Sequence, residues 1–439
     1  MDETAMRRFN GAVDAAESPN RRKLMLVSYW YPPAVGAGAD RAAAFTKYLP
    51  EHGWECFLLT ADRTGGAGSG RAGEGAVRDP AGAKGVSLED YDPRRRANWL
   101  QVWAREIVFP DRFVFWGRTA APIAVETVRR EGIGLVLATF PPASAVSLAL
   151  RVCRRTGTRF VLDLRDRWFG PGGYDPLCPV NRWRHARLER KAISRASAVV
   201  TISEAMAEAV AAEHGYDRRR IIVIPNGYER EDGAWREPPG GEAGSPRPDA
   251  RQAGSLVVSH VGTVIPRNRP DLFLQSVGAL AARGGLRDVV FRFVGNLSED
   301  YVRATGLSAV VQTTGVVARA EAVEEMRRAG GLLLLTGAYV GRWGYNAKVF
   351  EYIRSGRPIL CVEEEPGSND RKLLEQFAAG RSFFAMAGDP ESLGEAVGRL
   401  CTWVKEERPG AIEIDPAFEA YDRRESVRML AKALDGLVV

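Results

Sequence analysis

The sequence is poor in the residues that build disulfide frameworks and metal sites. Its 439 residues include only four histidines and five cysteines. The cysteines form neither a CxxC pair nor a Cys/His cluster, which argues against a disulfide framework and against a zinc site. No Asp-x-Asp metal motif stands in a suitable place. We therefore predict a protein of the reducing cytoplasm that needs no metal and no cofactor.

Long apolar runs are also absent. No stretch reaches the roughly 18–20 apolar residues that span a bilayer. The start of the chain has no apolar core of a signal peptide, so residues 1–22 are predicted to be a frayed polar leader. The net charge of +6 fits a solvated, Arg-rich surface, or an attraction to phosphorylated ligands or anionic lipid. Nucleic-acid binding is not indicated, because no basic stripe is interleaved with aromatic residues.

The chain does contain a repeated alternation of short apolar runs and amphipathic helical stretches. Runs such as KLMLVSYW, IGLVLATF and GGLLLLTG predict fully buried strands. Strand and helix in alternation, with strands apolar throughout, predict an α/β fold whose parallel sheets are covered on both faces. Two stretches interrupt the alternation: residues 62–97, predicted to be a loop, and the Pro- and Gly-rich residues 232–254, predicted to be a linker.

These interruptions predict two doubly wound, Rossmann-like domains. The first covers residues 23–231 and the second residues 255–415. The charged residues 416–439 are predicted to form a helix that packs back on the first domain. Two such domains are expected to face each other across a cleft, and ligands of open parallel sheets bind at the carboxyl ends of the strands. The loops that follow strands are therefore the candidate sites.

Two strand-following loops of the first domain carry small or hydroxyl residues. Gly36 and Gly38 precede a helix N-terminus, where backbone can approach an anionic ligand closely. A tight strand-to-helix turn explains the same glycines, and the pattern is not the dinucleotide fingerprint GxGxxG. Thr139 and Ser144 follow a later strand and are candidates for ligand contact. The alternative is that Ser144 caps the next helix.

A third loop of this domain, in DLRDRW, is dense in charge. Asp163, Arg165, Asp166 and Trp168 lie within six residues at a strand's carboxyl end. An aromatic ring beside charged groups can hold a sugar, because the ring stacks on the sugar while the charges bind its hydroxyls. The alternative is an internal Asp–Arg ion pair that shapes the loop.

In the second domain, the first strand ends at Gly262 and Thr263. Arg267 and Arg269 then precede a helix. Two guanidinium groups beside a helix N-terminus suit a diphosphate. Arginines on an exposed loop are the alternative.

The segment GYNAKVFEYIRSGRPI, residues 344–359, is predicted to be a capped helix. Asn346 is the predicted N-cap and Gly356 the C-cap. Lys348 and Glu351 are three residues apart and share a helix face. They are predicted either to contact a ligand or to form a surface ion pair.

The order of these motifs resembles that of GT-B glycosyltransferases. YPPxxGxG, DLRDxW, PNG, HVGT and KxFEYxxSGRPI follow one another between about residues 23 and 435. More narrowly, the chain resembles glycosyltransferase family 4, a retaining group that uses nucleotide-sugar donors, and within it a bacterial subgroup with a DxRDxW motif. The resemblance implies transfer of a sugar to an acceptor hydroxyl on a surface glycan, a lipid-linked glycan or a specialised metabolite.

The resemblance also implies roles for single residues. Glu351 matches the family glutamate that binds the nucleotide ribose, and one carboxylate can accept from two vicinal hydroxyls. Asp166 is predicted to orient or deprotonate the acceptor, with Arg165 as the second catalytic candidate. The remaining donor-site candidates are Gly36, Gly38, Gly262, Thr263, Arg267, Arg269, Asn346 and Lys348. The acceptor-site candidates are Thr139, Ser144, Asp163 and Trp168.

Two departures from the family pattern leave alternatives open. Trp343 stands where the family has the first Glu of its Glu pair, and TFPP replaces a first-domain His expected near residues 139–142. A nucleotide-sugar epimerase of the same fold and a non-catalytic donor-binding protein are therefore also considered. Residues 98–118, rich in Trp, Phe and Arg, are read either as a core-covering segment or as a contact with membrane lipid or the acceptor aglycone.

Overall fold

The predicted alternation of strands and helices produces two separate parallel sheets in the computed structural model. The structure describes residues 7–9, 22–34, 36–62, 76–78, 108–170, 174–235, 251–252, 255–406 and 415–438. These residues divide into two units. The first unit consists of residues before Gly227 together with the C-terminal helix, and the second consists of Gly227–Asp422.

The sheet of the first unit has the order β1-β3-β2-β5-β6-β7-β8, and β4 also pairs with β3. All neighbouring strands are parallel except β1, which runs antiparallel to β3. The strands are β1 (Arg7–Phe9), β2 (Arg22–Val27), β3 (Trp54–Asp62), β4 (Ala76–Arg78), β5 (Leu135–Phe140), β6 (Arg159–Leu164), β7 (Ala198–Thr201) and β8 (Ile221–Val223).

Helices cover both faces of this sheet. Successive residues of β2 alternate between two cores, with Leu24 and Leu26 in one and Met25 and Val27 in the other. This is the period-two arrangement of a strand buried on both sides. The helices between the strands are α1 (Ala37–Tyr48), α2 (Val114–Glu131), α3 (Ala143–Thr156), α4 (Pro179–Arg195) and α5 (Glu204–His214). Short 3-10 turns are formed by Leu49–His52 and Arg218–Arg220.

The second unit has the strand order β12-β11-β10-β13-β14-β15, all parallel, with the short β9 antiparallel to β10. Among its parallel strands this is the order 3-2-1-4-5-6 of the Rossmann fold. The strands are β9 (Arg251–Gln252), β10 (Ser255–Val261), β11 (Val289–Val294), β12 (Val311–Gly315), β13 (Gly331–Thr336), β14 (Ile359–Glu363) and β15 (Ser382–Met386).

Helices also cover both faces of the second sheet, and two apolar cores result. The helices are α6 (Pro270–Ala282), α7 (Glu299–Ala304), α8 (Arg319–Arg328), α9 (Ala338–Trp343), α10 (Ala347–Ser355), α11 (Asn369–Phe377) and α12 (Pro390–Glu406). Short 3-10 turns are formed by Gly233–Trp235, Pro266–Asn268 and Pro416–Tyr421.

The C-terminal helix, α13 (Arg423–Val438), packs on the first unit. Its apolar face enters the same core as Leu24 and Leu26. At its far end Asp435 accepts a hydrogen bond of 2.9 Å from the indole of Trp54 and pairs with Arg22 at 2.6 Å. The predicted α/β class, with two Rossmann-like parallel sheets and a terminal helix returned to the first, is confirmed.

Three expectations from the sequence need correction. Arg7–Phe9, in the predicted leader, is an edge strand, and Ala76–Arg78, in the predicted loop, is another. The predicted linker contains a 3-10 turn and β9. Each of these strands has only two or three residues, and an edge strand is held by backbone pairing with the sheet. Such pairing leaves no hydrophobic period in the sequence.

No helix in the described ranges combines the length and the apolar character needed to cross a bilayer.

A buried ion pair fixes α1 against the end of β6. Arg41 donates to both carboxylate oxygens of Asp163 at 2.8–3.2 Å, and its remaining Nη donates to the carbonyl of Ile224 at 2.9 Å. Both side chains lie almost wholly out of solvent, at 5% and 0% exposure. The pair therefore holds the start of α1, with its glycine turn, beside the loop that follows β6.

Removing one member of this pair leaves the other charge buried and uncompensated. We expect Asp163→Ala to lower the free energy of unfolding by about 3–5 kcal/mol. Urea unfolding followed by circular dichroism measures this. Asp175→Ala, which breaks the exposed 2.9 Å pair with Arg182, is the control and should cost less than about 1 kcal/mol. Equal urea midpoints of unfolding for the two variants would contradict the expectation.

Candidate functional site

In open parallel sheets ligands bind where the strand order reverses, beside the carboxyl ends of the strands. In the second unit the reversal lies between β10 and β13, which are direct neighbours. The loop after β10 contains Gly262, Thr263, Arg267 and Arg269. The segment after β13 leads through α9 to α10, which begins at Ala347. All the donor-site candidates of the second unit therefore lie at one edge of one sheet.

The turn after β10 is held between two close contacts. Gly262 has a φ of 118°, and a Cβ there would lie 2.6 Å from Cε of Lys348. On its other side, a Cβ on Gly295 would lie 2.3 Å from the Gly262 carbonyl oxygen. Lys348 Nζ donates to the carbonyl of Thr263 at 2.9 Å. Glycine is thus favoured at Gly262 by its backbone angle, and the turn leaves room for the close approach of Lys348.

A second close approach joins the two loops of the reversal point. A Cβ on Gly337, directly after β13, would lie 1.8 Å from the carbonyl oxygen of Arg267. Next to it, Asn268 donates to the side-chain oxygen of Asn346 at 2.9 Å. The loop after β10 therefore lies directly against the start of α9 and the residue before α10.

The prediction of Asn346 as the N-cap residue is confirmed, but its side chain has a different role. It occupies the N-cap position of α10, but its side chain makes no capping bond. Its amide instead donates to Asp370 at 2.6 Å and to Thr336 at 3.1 Å, while its backbone N–H donates to Asp370 at 2.9 Å. Burial raises the pKa of Asp370. The C-cap prediction at Gly356 is confirmed by its φ of 71°.

The sequence did not single out Asp370, and the reason is physical. The residue lies in the first turn of α11, after a different strand from the one that precedes Asn346. Its carboxylate is wholly buried and binds groups from two other segments, Thr336 at the end of β13 and Asn346 before α10. No local spacing connects these segments, so only the packing of β13, β14 and their helices brings them together.

The two loop arginines differ in their surroundings. Arg269 pairs with Asp271 at 3.0 Å and with Glu364 at 2.6 Å, and Glu364 also accepts from the backbone N–H of Ala338 at 2.9 Å. Arg269 therefore braces the loop, and two carboxylates compensate its charge. The guanidinium of Arg267 lies 5.8 Å from the ring centroid of Tyr339. Diphosphate binding by Arg267 and Arg269 stays a prediction, and in this structure the charge of Arg269 is already compensated within the protein.

Lys348 and Glu351 lie close in sequence but bind different partners. Lys348 turns toward the glycine turn, and burial, opposed by the charges of Glu351 and Asp370, lowers its pKa to about 8. Glu351 instead accepts from Arg319 of α8, at 3.0 Å for one oxygen and through a shorter contact for the other. The predicted surface ion pair between Lys348 and Glu351 is therefore wrong. Arg319 was missed because it is 32 residues away in the sequence.

In the first unit the reversal point lies between β2 and β5, and the glycine turn follows β2. Gly36 has a φ of 130°, and a Cβ on Gly38 would lie 2.5 Å from the guanidinium of Arg165. Arg165 also donates to the carbonyl of Pro141 at 2.9 Å. The partly buried Asp166 is next in the chain. Arg165 thus connects the glycine turn, the loop after β5 and the loop after β6.

The four acceptor-site candidates have buried side chains, at 0–2% exposure. Asp163 is held by Arg41, as described above. Thr139 donates to Ser28 at 3.2 Å. Trp168 stacks on Phe140 with ring centroids 4.3 Å apart. A ring already covered on its face and closed to solvent cannot stack on a sugar, so the structure contradicts the acceptor-binding prediction for Trp168.

Ser144 is likewise bound within the protein. Its backbone N–H and its hydroxyl both donate to Asp111, at 2.9 and 2.5 Å. Tyr174 donates to the same carboxylate at 2.7 Å. Asp111, which was not predicted, therefore holds the first turn of α3, and Ser144 is its partner instead of a cap.

Two remaining expectations concern metal and lipid. Within the described ranges no group of three or more His, Cys, Asp and Glu side chains has the arrangement of a metal site. Of the predicted segment 98–118, residues 98–107, including Trp99 and Trp103, lie outside the described residues. Of its described part, Trp116 is buried and donates to the carbonyl of Thr60 at 3.3 Å, while Phe115 is 47% exposed.

Comparison with known proteins gives the class of fold. A family model described as a glycosyl transferase 4-like domain matches residues 36–227. 2-Deoxystreptamine glucosyltransferase from Streptomyces kanamyceticus is 31% identical over 149 residues, which are 33% of this chain and 37% of that protein. The chain therefore matches little more than a third of this curated relative.

Similarity to solved structures covers nearly the whole chain. Anabaena HepE in complex with UDP-glucose has a TM-score of 0.59 and 15% identity, over 95% of this chain and all of that one. Sucrose-phosphate synthase from Thermosynechococcus elongatus has a TM-score of 0.57 and 13% identity, over 95% and 98%. A putative UDP-N-acetylglucosamine 2-epimerase from Listeria monocytogenes has a TM-score of 0.54 and 11% identity, over 95% and 97%. The chain has the GT-B fold, and its residues 36–227 match a glycosyl transferase 4-like domain.

The contact at Gly337 predicts a stability effect. In Gly337→Ala the new Cβ would meet the backbone of Arg267, so the loops must separate, at a cost of about 1–3 kcal/mol. Gly398→Ala is the control, because no atom lies within 4 Å of its Cβ position and it lies inside α12. That change should be neutral or stabilising by up to about 1 kcal/mol. Thermal unfolding compares the two, and similar melting temperatures would refute the effect.

Proposed function

We propose that the chain is a retaining glycosyltransferase that moves a sugar from a nucleoside diphosphate sugar to an acceptor hydroxyl, without a metal ion. The observation that carries the proposal is the placement of Lys348. Its ammonium lies beside the Gly262 turn and in the first turn of α10, at the strand-order reversal of a GT-B fold. The match of residues 36–227 to a glycosyl transferase 4-like domain supports the same reaction.

In this reaction the protein has to stabilise the leaving group, which is the nucleoside diphosphate. The bond between the sugar anomeric carbon and the β-phosphate oxygen breaks, and a bond from the same carbon to the acceptor oxygen forms on the same face. The acceptor proton passes to the departing diphosphate, so no protein nucleophile is needed. Negative charge grows on the diphosphate, and the Lys348 ammonium, Arg267 and the amides that begin α10 are the groups that would stabilise it. Asn346 and Thr263 form the walls of this diphosphate site.

The other roles follow from position. Glu351 would accept from the ribose hydroxyls of the nucleotide. In the first unit the glycine turn at Gly36 and Gly38 would approach the donor. Arg165 beside it would supply positive charge, and Asp166 would orient the acceptor hydroxyl. These assignments give the first unit an acceptor role and the second unit a donor role.

An epimerase is the second candidate, because proteins named as epimerases share the fold. That chemistry needs acid and base groups at the sugar. His260 is the histidine at a strand end, but burial and the charge of Lys348 lower its pKa to about 3. Its Nδ1 lies 3.0 Å from the carbonyl of Leu333. A neutral histidine inside the sheet does not supply the acid and base groups, so we favour the transferase.

Thermal-shift measurements with UDP, GDP, TDP and ADP test the donor site. UDP is the first choice, since structures of Anabaena HepE, which has a similar fold, hold UDP or UDP-glucose. A nucleotide that binds the native state stabilises it by about 2.7 kcal/mol at a concentration 100 times Kd. Because a protonated Lys348 binds diphosphate and its pKa is about 8, the shift should be largest near pH 7 and decrease as the pH rises past 8.

Variants make this test specific. Lys348→Met should remove the shift at pH 7, while Lys348→Arg should keep it at pH 9, since arginine stays charged. Lys372→Met, an exposed lysine of α11, is the control and should bind as the wild type does. Incubation with UDP-glucose then separates the candidates: sugar transfer or slow donor hydrolysis supports a transferase, and a changed sugar without acceptor supports an epimerase. If no nucleotide shifts the melting temperature, the donor assignment is wrong.

A further inference from the structure

Glu351, the proposed ribose contact, is already bound by one arginine. Both of its carboxylate oxygens accept from Arg319 at the start of α8. The same guanidinium donates through Nε and one Nη to a carboxylate oxygen of Asp232, at 3.1 and 2.8 Å. Asp232 is itself fixed, because its other oxygen accepts from the backbone N–H of Ala234 at 3.0 Å. One arginine thus lies between two carboxylates.

The arrangement leaves the glutamate able to bind a ligand. Each carboxylate oxygen has two lone pairs, and the guanidinium of Arg319 takes one on each. The second lone pair of each oxygen remains for the two vicinal hydroxyls of a ribose. Glu351 is 22% exposed, so these positions are accessible to a ligand. A planar guanidinium that donates to both oxygens also fixes the plane of the carboxylate. A hydrogen bond to one oxygen would leave the carboxylate free to rotate.

We propose that Arg319 is a positioning residue that orients Glu351 toward the ribose hydroxyls, with Asp232 as its anchor. The inference rests on the proposed function, because it requires Glu351 to bind a nucleotide. It assigns to Arg319 a selectivity for ribonucleotides over deoxynucleotides. Arg319 itself touches no substrate in this arrangement.

Isothermal titration with UDP and with 2′-deoxy-UDP tests this role. Loss of one well-oriented hydrogen bond to a charged group weakens binding by about tenfold. The wild type should therefore prefer UDP by about this factor. Arg319→Ala should reduce the affinity for UDP toward that for 2′-deoxy-UDP, while the affinity for 2′-deoxy-UDP changes little. Arg319→Lys should recover only part of the preference, because lysine cannot hold both oxygens in one plane.

The control is Arg328→Ala at the other end of α8, where Arg328 pairs with Glu324 at 2.7 Å. It should keep the UDP preference. Equal losses for both nucleotides in Arg319→Ala would indicate a merely structural role, and tighter UDP binding would indicate that Arg319 competes with the ribose. Either result overturns the inference while leaving the donor site in place. Absence of UDP binding in the wild type would instead refute the proposed function and this inference together.

An independent observation concerns the outer face of α4, in the first unit. Val180 and Trp183 are each 62% exposed, and Leu177 just before the helix is 70% exposed. The helix also carries six basic residues against a single carboxylate, Glu189, which lies 3.6 Å from His214. The basic residues are Arg182, Arg184, Arg187, Arg190, Lys191 and Arg195.

Apolar and basic groups share one side of this helix. Val180, Trp183, Arg187 and Lys191 follow one another at spacings of three and four residues, so they line a single face. Within the described residues, no carboxylate pairs with Arg187, Arg190 or Lys191. Because α4 follows β6 in a parallel sheet, its apolar start lies toward the carboxyl edge, where Arg165 and Gly38 are found.

We infer that this face docks on an anionic lipid bilayer. A tryptophan and a valine at one end would enter the headgroup region, while the guanidinium and ammonium groups would bind lipid phosphates. The exposed apolar end favours a bilayer over a nucleic acid, whose phosphates would engage the basic residues alone. Docking here would hold the proposed acceptor edge of the first sheet toward the membrane.

Sedimentation with phosphatidylcholine vesicles, with or without 30% phosphatidylglycerol, tests the docking. The wild type should pellet with the anionic vesicles at low salt and be released at high salt. Since each basic residue near the surface contributes about 1 kcal/mol, Arg187→Glu/Lys191→Glu should weaken binding by at least about tenfold. Val180→Ser/Trp183→Ser should also weaken it. The control is Arg154→Glu/Arg155→Glu, at the exposed end of α3.

Three outcomes would overturn the docking. The first is that the wild type does not pellet with anionic vesicles. The second is that the α4 variants pellet as the wild type does. The third is that the control variant loses as much vesicle binding as the α4 variants. Binding of a labelled oligonucleotide that the α4 variants alone abolish, without vesicle binding, would assign the face to nucleic acid instead.

Discussion

In the second unit, the loops that follow neighbouring strands are held together by close contacts between their backbones. The Gly337 backbone lies against the carbonyl of Arg267, and the backbone of Gly295 lies against that of Gly262. Any side chain at these two contacts would force the segments apart. With the glycines in place, the loops after β10, β11 and β13 close into one surface at the point where the strand order reverses. Every other feature of the proposed donor site, including the position of Lys348, follows from that closure.

Charge at this surface is distributed unevenly. Arg269 is compensated by Asp271 and Glu364 and braces the loop. Lys348 is held against a carbonyl oxygen, and its lowered pKa reflects the cost of burying an ammonium. An anion that approached Lys348 would relieve that cost. In the proposed donor site, Arg269 would therefore hold the loop in place, while Lys348 would be the group that meets the anion.

The fold could be predicted from the sequence because its signals are local. Short apolar runs bounded by glycines, such as Leu332–Leu335, are typical of buried strands, and the Gly- and Pro-rich interruptions separate two series of them. The motif order then predicted which loops face a ligand, and the structure brings Gly262, Thr263, Asn346 and Lys348 to one sheet edge. The acceptor-site candidates show the limit of such local signals. Trp168 and Ser144 have the chemistry of binding residues, but burial decides their role, and burial depends on neighbours distant in the chain.

By itself, the sequence determined the class of fold, the two sheets and the segments at their carboxyl edges, because hydrophobic period and turn chemistry act over a few residues. The tertiary structure alone decided which charges meet. Asp163 binds Arg41, 122 residues away, instead of the neighbouring Arg165, and Glu351 binds Arg319 instead of Lys348. Ion pairs form between groups that packing brings within a few ångströms, and in a doubly wound sheet those groups come from separate strand–helix units. Sequence spacing along one helix could not reveal them.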